Sequence, residues 1–267
     1  MGWRSIMAMG VLATLSVAPV AWAGAWLQPK GQGLFVAQAG FYSTDRFYAA
    51  DGQEQPQSTF SKIELTPYVE YGLLENLTIG GTAYIQDAFQ SADSNLGIAD
   101  PQIFARSELW GDDTQHLSLQ PLIKFTSAFE HTAPPRGGSR STDVELSLLY
   151  GRSFNLISPR DYLDMRSGYR LRANRLGDQF LTDIALGLGV GEHWLIVPAL
   201  RQVVSLGTVG GAFSESGDLD YDLTKVELTS LYQLDDAHSV QLSLASHVAG
   251  AQTGAGYSIT AGFGETF

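Results

Sequence analysis

Apolar and polar residues alternate along most of the chain with a period of two, the spacing at which successive side chains of a β-strand fall on opposite faces. Leu77, Ile79, Gly81, Ala83 and Ile85 alternate with Thr78, Gly80, Thr82, Tyr84 and Gln86. Leu117, Leu119, Pro121, Ile123 and Phe125 alternate in the same way with Ser118, Gln120, Leu122, Lys124 and Thr126. Val144, Leu146, Leu148 and Tyr150 against Asp143, Glu145 and Ser147, and Val240, Leu242 and Leu244 against Gln241, Ser243 and Ala245, repeat the pattern. Helical periodicity is nearly absent. The alternation and the turn residues between runs predict twelve strands of about 10 to 14 residues. They lie near 33-45, 59-72, 77-89, 98-110, 116-129, 142-153, 161-172, 179-190, 193-206, 220-233, 238-249 and 256-267.

A soluble β-sandwich also alternates, so the choice of architecture rests on length and connection rhythm. Sandwich strands run to about 5 or 6 residues, whereas about 9 to 11 are needed to cross a bilayer at a tilt. The connections at 73-76, 111-115, 155-160, 191-192 and 234-237 are short, while 46-58, 90-97, 130-141 and 207-219 read as longer and rich in Gly, Ser, Pro and acid. Short turns on one side and long loops on the other predict an all-β fold, a closed antiparallel transmembrane β-barrel of about 12 strands. An even strand count puts both termini on the short-turn, periplasmic side.

Charge placement agrees with that expectation. Lys62, Glu64, Glu70, Arg106, Glu108, Lys124, Asp143, Glu145, Asp164, Arg166, Arg170, Arg172, Asp183, Arg201, Lys225 and Glu227 share the polar parity of their segments, which puts them in the lumen. A charge is costly against lipid and tolerated in a lumen. Arg166, Arg170 and Arg172 alternate on one strand, with Arg201 two strands on, and are candidates for a basic strip that selects anionic or aromatic-acid solutes. Asp164, Asp183, Glu145 and Glu227 could instead neutralise them across neighbouring strands.

The first residues carry one charge, Arg4, then a mostly apolar run from Ile6 to Val20 and the small-x-small site Ala21-Trp22-Ala23. This is the pattern of a secretory signal peptide, 1-23, cleaved after Ala23 to leave 24-267 as one barrel. Beyond it no apolar run is long enough for a transmembrane helix. The chain has no cysteine, which removes disulfides and thiolate chemistry. The formal charge of -12 becomes -13 without Arg4, 15 basic residues against 28 acidic, and makes nucleic acid a poor partner.

No catalytic constellation is visible. His247 and Ser243 share a parity but stand about 13 Å apart along one strand, too far for a dyad. His116, His193 and His238 fall at turns and His131 in a loop. Asp218, Asp220 and Asp222 alternate near one strand end but lack the glycine and later glutamate of a calcium loop. Gly187, Gly189 and Gly191 read as small strand positions, since no helix follows to hold a phosphate. No cofactor and no metal is expected.

Aromatic residues gather at segment ends (Phe41, Tyr42, Phe47, Tyr48, Tyr71, Phe89, Trp110, Phe129, Tyr150, Phe154, Trp194, Tyr221 and Tyr232), where two interfacial girdles would lie. The last strand places Tyr257, Ile259, Ala261, Phe263, Glu265 and Phe267 on one parity. It resembles the C-terminal assembly signal of outer-membrane proteins, with Phe267 as its terminal aromatic; Glu265 departs from that pattern. Four stretches, Ala25-Trp26-Leu27-Gln28-Pro29-Lys30-Gly31, Glu70-Tyr71-Gly72-Leu73 running into Leu77-Thr78-Ile79-Gly80, Leu117 to Lys124, and Ser167 to Arg172, resemble a family of bacterial outer-membrane transporter barrels that includes proteins linked to the meta-pathway of phenol degradation. The resemblance implies a channel or transporter for small molecules of unknown identity in the bacterial outer membrane. Its partners would be outer-membrane lipid and, during biogenesis, the barrel-assembly machinery. A lipid-modifying enzyme, as in twelve-stranded outer-membrane phospholipases, and a structural barrel or secretion partner are the alternatives.

Overall fold

The computed structural model describes residues 24-129, 135, 138-173, 176-207 and 220-267. The expected signal peptide, His131 and Asp218 lie outside them. The strands are β1 (Gly33–Tyr48), β2 (Glu54–Leu74), β3 (Leu77–Gln90), β4 (Asp93–Gly111), β5 (Gln115–Lys124), β6 (Ala128–Phe129), β7 (Asp143–Phe154), β8 (Asp161–Arg172), β9 (Gln179–Val190), β10 (Trp194–Ser205), β11 (Asp222–Gln233), β12 (His238–Ala251), β13 (Thr253–Gly254) and β14 (Tyr257–Thr266). Consecutive long strands pair antiparallel, and β1 pairs with both β2 and β14. The sheet therefore closes into a twelve-stranded antiparallel barrel, with the two-residue β6 and β13 extending the edges of β4 and β1. Closure pairs the edge backbone that an open sheet leaves bare.

The faces are inverted relative to a soluble protein. Ile63, Leu65 and Val69 on β2, Val144, Leu146 and Leu148 on β7, and Val240, Leu242 and Leu244 on β12 point outward and are exposed. Thr78, Ser118, Glu145 and Ser147 point inward and are buried. A continuous apolar outer belt around a polar interior is the arrangement that lipid stabilises and water does not. Protein left unboiled should therefore migrate apart from the boiled form on a gel; identical migration would count against a detergent-resistant barrel.

Three expectations are corrected. The loops read at 46-58 and 90-97 are short, because β2 begins at Glu54 and β4 at Asp93; the latter hairpin turns on Ser91 and Ala92, with Ser91 at φ 57°. Once the strands rise beyond the apolar belt no face needs to be hydrophobic, so the ladder continues without alternation. The segment at 116-129 breaks after Lys124: Asp100, at φ 42°, bulges β4, and the Phe125 N–H donates to the Pro101 carbonyl at 2.7 Å. Tyr42 and Tyr48 leave the expected girdle and turn inward, the Tyr42 ring lying 5.2 Å from the His247 ring and the Tyr48 hydroxyl donating to the His247 carbonyl. Trp110, Trp194 and Tyr71 do face outward and are exposed.

Short turns close the end of the barrel that carries the C-terminus. At two of them the turn is built on an aspartate that accepts backbone N–H groups, as such side chains do. Asp112 accepts from Thr114 and Gln115, and Asp235 from Ala237 and His238. These bonds hold both carboxyls below the usual range. Phe267 completes the ladder there: its N–H donates to the Gly33 carbonyl at 2.9 Å and its carbonyl accepts the Gly33 N–H at 2.7 Å. Deleting Phe267 should lower the yield of assembled barrel, read as protease accessibility of the loops in intact cells; an undiminished yield would remove the role assigned to this residue. Glu265 is exposed, between Phe35 and His238 on the neighbouring strands, beside rather than inside the apolar belt.

Candidate functional site: the lumen

The arginines that the sequence marks for a basic strip share the lumenal face with acids set between them. Arg166 of β8, Asp183 of β9, Arg201 of β10 and Lys225 of β11 are register partners along one rung. Asp183 thus stands between the two arginines, 2.9 Å from Arg166 and 3.9 Å from Arg201. Arg166 also bonds Glu145, which accepts from Arg170 at 2.9 Å. Arg172 reaches Asp143 and Asp220, and Glu227 bridges Arg201 and Lys225 at 3.0 Å each. Asp164, expected to join this neutralisation, makes no ion pair within 4 Å among the described residues and accepts the Ala25 N–H at 3.1 Å.

One wall of the barrel is packed solid. Ser118, Gln120, Leu122 and Lys124 of β5, and Asp143, Glu145, Ser147, Leu149 and Gly151 of β7, are all buried. At its centre the Arg106 guanidinium donates to Glu70 at 2.7 Å, to Gln120 at 2.9 Å and to the Trp26 carbonyl at 2.9 Å, and sits 5.3 Å from the Phe104 ring. Tyr68 donates its hydroxyl to the same Glu70. Lys124 pairs with Asp143 at 2.5 Å.

Two inserts lie against this wall. The segment ahead of β1 runs inside the barrel at the terminus-bearing end. The Gly31 N–H donates to the Gly72 carbonyl, the Gln28 N–H to the Thr78 hydroxyl, and the Ser118 hydroxyl to the Ala25 carbonyl. Gly72 and Gly151 leave room for it, since a Cβ would fall 2.2 Å from the Pro29 carbonyl oxygen and 2.7 Å from the Trp26 ring respectively. Trp26 packs edge-on against Tyr162 and joins Leu195 and Leu231 in an apolar floor. At the opposite mouth the connection from β5 to β7 tucks inward: Asn95 donates to the Pro135 carbonyl, and Asp100 accepts from Ser127 and the Ser139 N–H. Alternation predicts no strand over residues 24-32, and it carries no sign of the insert. The one available signal is Trp26, a large aromatic near the mature start with no predicted strand to hold it.

The other side of the lumen is open to water over its middle. Lys225, Glu227 and Thr229 of β11, Ser243, Ala245 and His247 of β12, and Ser258, Thr260 and Gly262 of β14 are all partly exposed. The lysine and arginine side chains are the more exposed there, Arg201 at 38 %, Lys62 at 30 % and Lys225 at 27 %, against 20 % for Glu64 and 16 % for Glu227. Towards the terminus-bearing end this lane narrows, where Val36, Leu195, Leu231, Ser239 and Gln241 are buried.

Among the described residues the histidines make no catalytic pair. His247 Nδ1 lies 2.7 Å from the Gly254 carbonyl, Ser243 bonds Thr229, and His116 and His238 contact Glu108 and Asp235. Among the described residues no group of His, Cys, Asp or Glu is placed to hold a metal ion. Asp220 instead accepts from Gly177 and Arg172, and Asp222 from Ser205. Gly187 and Gly189 are packed strand positions, the first under the Tyr162 ring and the second against Ser158.

No protein-family profile matches the chain. None of the curated proteins matches it in sequence. Solved structures do match in fold. An outer membrane channel from Pseudomonas putida F1 aligns over 93% of this chain and 100% of its own, with TM-score 0.74 and 13% identity. The NanC porin aligns over 86% and 98%, with TM-score 0.58 and 9% identity. The CymD monoaromatic hydrocarbon channel aligns over 90% and 89%, with TM-score 0.51 and 8% identity. At such identities the likeness is one of fold, and it places the chain among barrels of the outer-membrane type.

Proposed function

We propose that the chain is a channel for small solutes in the bacterial outer membrane, a transporter-like barrel exported by its signal peptide and inserted by the barrel-assembly machinery. The observation that carries this reading is the asymmetry of the lumen. One wall is sealed by ion pairs and inserts, while the other keeps a water-accessible lane of small and hydroxyl side chains under Arg201, Lys225 and Lys62. A barrel serving only as a membrane anchor has no need of such a lane. The three solved structures named above are a porin and two channels, which favours the same reading.

The selectivity expected of the arginines falls on those that face the lane. Arg166, Arg170 and Arg172 spend their donors on Glu145, Asp183, Asp143 and Asp220, whereas Arg201 keeps the largest accessible surface of the four. Cationic side chains more exposed to the lane than their carboxylate partners bias a narrow pore towards anions. Aromatic carboxylates fit this chemistry, and the resemblance to barrels linked to phenol degradation favours the same class of solute.

Reversal potentials in a salt gradient test it. The parent should conduct with a mild anion preference. Arg201→Gln combined with Lys225→Gln should move the reversal potential towards cation preference, while Arg172→Gln should move it little. A parent with no conductance overturns the channel; an unmoved potential in the double variant overturns only the selectivity.

A further inference from the structure

Five lumenal arginines, Arg106, Arg166, Arg170, Arg172 and Arg201, have carboxylate partners within 4 Å, and Asp164 is a buried carboxylate with no cation within that distance among the described residues. An unpaired charge in such a place is costly, and native structures seldom keep one. Gly24 lies against it. A Cβ on Gly24 would stand 2.4 Å from Asp164 Oδ2 and 2.8 Å from the Trp26 ring, and the next residue, Ala25, already donates its N–H to the same oxygen. Gly24 is itself buried within the barrel. It is also the residue that follows the small-x-small sequence Ala21-Trp22-Ala23.

We propose that hydrolysis of the Ala23–Gly24 peptide bond creates the missing cation: the α-ammonium of Gly24 pairs with the Asp164 carboxylate inside the lumen and pins the N-terminal segment across it. Water adds across the amide; the leader departs with the new carboxylate on Ala23, and Gly24 keeps a free amine, which is protonated at neutral pH. The amine nitrogen is bonded to the same Cα from which a Cβ would touch Oδ2, so rotation about one bond brings it to the carboxylate. Glycine suits the position because any side chain would occupy the space between Asp164 and Trp26. In the unprocessed chain the Gly24 nitrogen is a neutral amide with no charge to offer. Processing therefore both removes the leader and supplies the charge that seats the segment.

The test uses full-length protein expressed with its leader and purified in detergent. Intact mass gives the start of the mature chain, and acetic anhydride at neutral pH, followed by peptide mapping, gives the reactivity of its α-amine. The expected results are a chain beginning at Gly24, an α-amine that resists acetylation in the folded parent, and rapid acetylation in folded Asp164→Asn. Gly24→Val, which keeps the carboxylate but fills the contact, should also become reactive and serves if Asp164→Asn does not fold. Thermal scans add a readout that simple burial would not give. Asp164→Asn should lower Tm in the Gly24-terminated protein, but not in one carrying two extra alanines ahead of Gly24. A mature chain that starts elsewhere, or equal acetylation of parent and variants, overturns the pairing whether or not the barrel conducts.

Discussion

Removing residues 24-31 should raise single-channel conductance severalfold. The segment crosses the lumen at its narrow end, and Trp26 joins Tyr162, Leu195 and Leu231 to make the floor beneath the open lane. Conductance of a water-filled pore is set by its narrowest section, so clearing that floor acts on the limiting step. The barrel should survive the deletion, because Arg106 keeps Glu70 and Gln120 when it loses the Trp26 carbonyl. Trp26→Gly is the milder form; it should give the same direction with a smaller rise. Planar-bilayer recordings of the parent and both variants at equal salt provide the comparison. Unchanged conductance in both would mean that the floor does not limit flow.

Arg106→Ala should cost about 3–5 kcal/mol of barrel stability, the range for stripping one partner from a buried ion pair. Both side chains of the Arg106–Glu70 pair are only 1% exposed, and the truncation would leave Glu70 charged, buried and short of donors. Glu70→Ala should be similarly damaging, since Arg106 would then lose its carboxylate partner and be left buried among neutral acceptors such as Gln120 and the Trp26 carbonyl. Replacing both by apolar residues of like volume, Arg106→Met with Glu70→Leu, should recover much of the loss, because no charge is left without a partner. Urea unfolding in lipid or detergent, followed by tryptophan fluorescence, measures all three. Glu75→Ala provides the contrast: its bridge to Lys30 is 3.8 Å long and open to solvent, and its loss should go unnoticed. Equal stability of Arg106→Ala and the parent would contradict the central place given to this pair.

The sequence by itself determined the barrel. Period-two alternation over runs long enough to cross a bilayer can be satisfied in only one way when the apolar face is the outer one, and the positions of nearly all twelve strands follow. It also determined which charges enter the lumen, because parity on a strand is a local property: Arg166, Arg170, Arg172, Arg201, Asp164 and Asp183 all lie where their alternation puts them. It misjudged the strand ends above the apolar belt, where hydrogen bonding continues and the hydrophobic signal stops.

Only the tertiary structure decided how those charges pair and what fills the lumen. Register across strands, with Asp183 set between Arg166 and Arg201, depends on shear accumulated around the closed sheet. The insertion of Gly24 to Gln32 against β3, β4, β5 and β8 depends on contacts more than forty residues apart in sequence, which no local pattern records. Strand parity is written in neighbouring residues, whereas the closing of a lumen is written in the space that the finished barrel leaves.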